Sequence, residues 1–145
     1  MSARKKHQPP RRLFKQDRPS PVSVVSIANS KMFGQESMSD VLRDFAEPYL
    51  PMANCETELR SLFNLAILGW NAALLPEKQR QASIETYFKA TLRGAPEDEL
   101  AKAWKFVKEL IQRKETLFAA NKRAFVSVSL SNNGSKFQLH VKSAF

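Results

Sequence analysis

From Leu59 to Leu75 the chain reads LRSLFNLAILGWNAALL, with apolar residues on every side of a helical wheel and not on one stripe. A helix that is apolar all round belongs inside a structure, so this stretch is expected to be the central helix of a small core. The run from Leu62 to Leu75 falls short of the ~20 residues a membrane span needs and is broken by Asn64, Gly69 and Asn71. No membrane partner is expected. Gly69, costly in a helix interior, implies close approach of another helix.

The flanking segments carry weaker helical periods. Ser39 suits an N-cap, followed by Asp40 and an apolar face of Val41, Leu42, Phe45 and Ala46. Pro48 should stop that helix near Ala46 or Glu47 and send the chain extended through Tyr49-Leu50-Pro51. Asn54 is the expected cap of the central helix. Pro76 then opens a third helix with its stripe on Ile84, Tyr87, Phe88, Thr91 and Leu92, closed by Gly94 as a left-handed cap. Pro96-Glu97-Asp98-Glu99 starts a fourth, in which Leu100, Ala103/Trp104, Val107, Leu110/Ile111 and Leu117/Phe118 recur every three or four residues. Lys102, Lys105, Lys108, Arg113 and Lys114 lie mostly off that stripe and read as a solvated face.

After Arg123 the period drops from 3.6 to 2. Val126, Val128 and Leu130 alternate with Ser127 and Ser129, and beyond Asn132-Asn133-Gly134 the residues Phe137, Leu139 and Val141 alternate with Gln138, His140 and Lys142. A two-residue turn at Asn133-Gly134 pairs Leu130 with Phe137, Val128 with Leu139 and Val126 with Val141, and places Ser127 opposite His140. A hairpin over 124–142 follows. Alone it would be marginal in water, so its apolar face must pack on the helices or against another copy.

Composition sets the limits around this frame. The chain has 145 residues, about the size of one domain, and its 43% apolar content supports a core. Net charge is +9, unevenly spread: residues 1–35 carry +7, residues 36–77 carry −5 and residues 78–145 carry +7. Residues 1–35, with prolines at 9, 10, 19 and 21 and no helical period, are expected to be a disordered basic arm. Residues 36–145 are expected to be a single helical domain ending in the hairpin. Cys55 is the sole cysteine, which favours a reducing compartment, and the expected location is cytoplasmic.

Little in the sequence points to chemistry. Phosphate-cradling, dinucleotide, HExxH, CxxC and GxSxG motifs do not occur. Ser127 and His140 lack an orienting acid, Cys55 lacks a partner base, and the Glu and Asp clusters sit at helix starts. Neither cofactor nor metal is expected. Asn64 and Asn71, seven apart on one helix face, must either bond neighbouring backbone, of which the irregular segment 48–51 is one candidate, or floor a polar pocket beside Trp70.

The sequence therefore reads as a mostly α protein: about four helices around a central apolar helix, with a minor β part in a C-terminal hairpin. The expected function is a non-enzymatic protein-interaction or adaptor module that binds a protein partner or a second copy. The alternative is a nucleic-acid-associated accessory protein acting through Arg4, Lys5, Lys6, Arg11 and Arg12 of the arm. Third comes a small-ligand protein or enzyme with a pocket at Asn64, Trp70 and Asn71.

Overall fold

The computed structural model describes residues 23–26, 37–133 and 136–144. The chain is mostly helical: α1 (Met38–Ala46), a 3₁₀ turn (Glu47–Met52), α2 (Glu56–Leu74), α3 (Glu77–Thr91) and α4 (Glu97–Leu117), followed by β2 (Ala124–Asn133) and β3 (Lys136–Ala144). A short strand, β1 (Ser23–Ser26), precedes the helices.

The α2 helix lies at the centre, as its all-round apolar sequence requires. It buries Leu59, Leu62, Phe63, Leu65, Ala66, Leu68, Trp70 and Ala72, and it touches α1, α3, α4, the 3₁₀ turn and β2. Gly69 is where α4 comes closest: a Cβ built there would stand 2.6 Å from Leu110 Cβ. Gly94 has φ at +79°, the left-handed geometry anticipated for it, but it lies in the turn two residues beyond Leu92, which is the C-cap of α3. Pro76 and Pro96 are the N-cap residues of α3 and α4, one position before the first helical turn.

Other boundaries moved. The N-cap of α1 is Ser37, and Ser39 sits buried in the first turn with its hydroxyl 3.0 Å from that of Ser37. The N-cap of α2 is Cys55, and Glu58 turns back to accept a 2.9 Å bond from the Asn54 backbone N–H. The expected extended segment after α1 is instead the 3₁₀ turn. Pro48 sits in its first turn, where a missing N–H costs nothing, and Glu47 keeps helical angles of φ −54° and ψ −43° before it. Burial of Met52 and packing of Tyr49 at 5.0 Å on Phe106 hold the turn in place.

The three strands form one sheet in the order β1-β3-β2, with β2 antiparallel and β1 parallel to β3. Four residues of the stretch expected to be a disordered arm are thus a strand. Val24 pairs with Phe137 and Val25 with Gln138, so β1 gains a hydrogen-bonded neighbour and a core contact through Val24. The remainder of residues 1–35 lies outside the described residues.

The hairpin is present, with a different register. Leu130 faces Leu139, Val128 faces Val141 and Asn133 faces Lys136, so Asn133 belongs to the strand and residues 134–135 separate the two strands. The shift is two residues, which keeps the same side chains on the core side. Ser127 consequently faces Lys142, and His140 faces Ser129. A β-bulge between Phe125 and Ser127 then inverts the alternation at the start of β2: Phe125 is 4% exposed and Val126 is 61% exposed, opposite to the expected arrangement.

Candidate functional site

The three residues singled out as a pocket do not meet in one. Trp70 and Asn71, near the C-terminal end of α2, both reach to β2. The Trp70 indole donates a 2.8 Å bond to the Arg123 carbonyl. The Asn71 amide donates to the Phe125 carbonyl at 2.9 Å and accepts from the Phe125 N–H at 3.0 Å, so this side chain takes the place of a neighbouring strand. The partner is β2 and not the 48–51 segment. The polar groups of both residues are spent on backbone.

Asn64 stands two turns away, in a separate cleft of about 260 Å³ with Ser61, Leu65, Tyr87, Thr91, Leu92 and Ala103. Burial raises the Tyr87 phenol above its usual pKa, and a hydrogen bond with Thr91 partly offsets the rise. The lining carries no charged side chain.

Around Trp70 the aromatic rings assemble into a cluster: Phe45 lies 5.1 Å away edge-on, Phe125 5.2 Å and Phe118 5.6 Å. Two cations of α4, expected on a solvated face, are built into this cluster. Lys114 is 3% exposed; its ammonium donates to the Phe118 and Asn121 carbonyls at 2.8 and 2.7 Å and lies 4.5 Å from the Trp70 ring centroid. Burial lowers its pKa, the Lys122 charge adds to the fall, and Glu115 opposes it. Arg113 donates to the Phe45 and Asp44 carbonyls at 2.9 and 3.1 Å, closing the end of α1. Arg80 does the same for α2 through the Leu75 and Ala73 carbonyls, and pairs with Glu115 at 2.8 Å.

These side chains satisfy the orphan carbonyls at three helix ends, where the dipole also favours a cation. Lys114 in a last turn was the available sign of such a role; which carbonyls it serves depends on the fold. Arg80, Arg113 and Lys114 thereby serve the fold.

The outer face of the sheet is the remaining polar surface of note. Ser127, Ser129 and Ser131 of β2 lie beside Lys142, His140 and Gln138 of β3, with Lys136 one step further along. The Ser131 hydroxyl is 2.9 Å from His140 Nε2, an exposed pair rather than an enclosed catalytic one. Cys55 is exposed. Among the described residues, no three His, Cys, Asp or Glu side chains group as metal ligands would, and no helix is long and apolar enough to cross a membrane. Arg4, Lys5, Lys6, Arg11 and Arg12 lie outside the described residues.

No protein-family model matches the chain, and neither the curated proteins nor the solved structures contain a significant match to it.

Proposed function

We propose that this chain is a non-enzymatic, cytoplasmic protein-interaction module that joins a second copy of itself through the edge of β2. The observation that carries this reading is the composition and position of that edge. β2 is an outer strand of the sheet, and its ten residues, AFVSVSLSNN, contain neither a charge nor a proline. Natural edge strands are commonly blunted by lysine, proline or a bulge. Here the bulge and the Asn71 amide close only the first residues, and from Ser127 to Asn133 the edge has no strand beside it among the described residues.

A second β2 running antiparallel to the first is a self-complementary partner of the two-fold kind most homodimers use. Small hydroxyls would meet across the seam. The lysines of β3 stand one strand further back on each side, about 14 Å apart across the junction at ~4.8 Å per strand, beyond a Debye length of about 8 Å. A chain of net charge +9 can therefore approach its own copy there.

The test is sedimentation of the full chain over a range of concentrations. The expected mass rises toward twice the 16.5 kDa of one chain. Ser127→Lys with Ser129→Lys, both at exposed positions, should hold it at one chain with an unchanged circular dichroism spectrum. A single-chain mass at every concentration for the unmodified protein rejects the reading.

A further inference from the structure

We infer that the cleft at Asn64 holds a small uncharged molecule of one ring with several hydroxyl groups, the chemistry of a hexose or a cyclic polyol. This does not rest on pairing of β2 edges. It begins with two asparagines that look alike in the sequence. Asn64 and Asn71 both lie on α2, and the Asn71 amide is spent in both directions on the backbone of Phe125. The Asn64 side chain, partly buried, lines the cleft and has no hydrogen-bond partner among the described residues. An amide in an apolar helix costs propensity and desolvation, and no bond within the described fold offsets that cost at Asn64.

Chain geometry brings three hydroxyl groups to the same place. α2 ends at Leu74 and α3 begins at Glu77, so two residues join them, and helices joined that tightly pack antiparallel. Asn64 stands ten residues before Leu74 and Tyr87 ten after Glu77; Ser61 stands thirteen before and Thr91 fourteen after. Both pairs therefore reach the same level of the helix pair, and spacings of three and four keep each pair on one helix face. They converge on about 260 Å³, with Leu65 and Ala103 as apolar wall.

The lining selects the class of ligand. No charged side chain contributes to it, so a carboxylate, phosphate or ammonium would give up hydration without meeting a counter-charge. Hydroxyl groups both donate and accept, and an amide offers two donors and an acceptor, a set that satisfies ligand hydroxyls whichever way each is turned. Tyr87 is the sole aromatic residue of the lining, which leaves a nucleobase without a second ring to stack on. The volume is below the ~300 Å³ at which drug-sized sites begin and has room for roughly eight waters at ~30 Å³ each. One ring with its hydroxyls is of that size.

Titration of the full isotope-labelled chain with D-glucose and with myo-inositol, followed by NMR of the Asn64 and Asn71 side-chain amides, tests this. The expected result is a saturable shift at Asn64 with at least one of the two, at a Kd of about 1 mM or below. Asn71, held by Phe125, should not move. Asn64→Leu removes the amide at similar volume and should weaken binding about tenfold or more, read from the backbone signals of Tyr87 and Thr91. Ser61→Ala, at an exposed position, should weaken it about threefold. Urea unfolding should find both variants at least as stable as the unmodified chain, to within about 0.5 kcal/mol.

Absence of saturation with either probe at about ten times that concentration overturns the assignment. So does a shift of Asn71 equal to that of Asn64, which marks a general effect of the solute. Tighter binding of glucuronate, which adds a carboxylate, or of adenosine, which adds a base, rejects the ligand class. Undiminished binding by both variants removes the cleft from the site.

Discussion

The Asn71 side chain pairs with the backbone of Phe125 through both its amide hydrogen and its carbonyl oxygen, at 2.9 and 3.0 Å. Fifty-four residues separate them. The amide mimics a peptide group and lends β2 a partner where the bulge and the approach of α2 leave it without a strand. Asn71→Leu should therefore lower stability by about 1–3 kcal/mol, since it leaves a buried N–H and a buried C=O unpaired. Urea unfolding measures this. A change below about 0.5 kcal/mol would show that water replaces the amide at little cost.

The bulge separates two adjacent residues that the alternation alone would assign the other way round. Phe125→Ala should cost about 3–5 kcal/mol, as burial against Trp70 requires. Val126→Thr, at an exposed position, should lie within about 0.5 kcal/mol of the unmodified chain. The regular register forecasts the reverse order, so the same unfolding experiment distinguishes the two arrangements.

Gly69 and Gly94 are needed for opposite reasons. An alanine at 69 gains about 1 kcal/mol of helix propensity but collides with Leu110 Cβ, which is fixed to its own helix backbone; a net loss of about 1–2 kcal/mol is expected. An alanine at 94 meets open space yet must adopt φ +79°, at a cost of about 1–2 kcal/mol. Trimming Leu110 to Ala in the Gly69→Ala background should recover part of the first loss, measured as non-additivity in a double-mutant cycle, and should do nothing for the second.

Lys114 gives the protein a pH dependence of known sign. Burial holds its pKa in the fold below the ordinary value of 10.5. Between those two values the unfolded chain binds more protons than the folded one, so this group's contribution to stability rises with pH. The cost of burying the charge is fully present below the folded-state pKa and is relieved as pH climbs through it. Tyr49 and Tyr87, both raised by burial, act in the opposite direction near pH 10 and above. The quantity to follow is thus the difference between the unmodified chain and Lys114→Met. At neutral pH the variant should lose about 1–3 kcal/mol, because the Phe118 and Asn121 carbonyls lose their donor. Above pH 9 the difference should widen; a flat difference from pH 7 to 10 would mean that Lys114 titrates alike in both states.

The sequence by itself determined the elements whose signals are local. All-round apolarity placed α2 at the centre, prolines at 48, 76 and 96 bounded the helices, Gly94 marked the turn after α3, and a period of two marked the hairpin. Gly69 was legible as a helix contact because an isolated glycine inside an apolar helix has few other uses. These signals lie within a few residues of what they specify.

Tertiary structure alone decided the rest. Strand β1 has four residues, too few to show a period, and its partner lies more than 110 positions away. The bulge leaves no mark in the alternation, because Phe125 and Val126 are both apolar and only the packing of Trp70 selects between them. Asn71 announced that it needed a partner without naming one, and Lys114 looked like its solvated neighbours until Trp70 and two carbonyls closed around it.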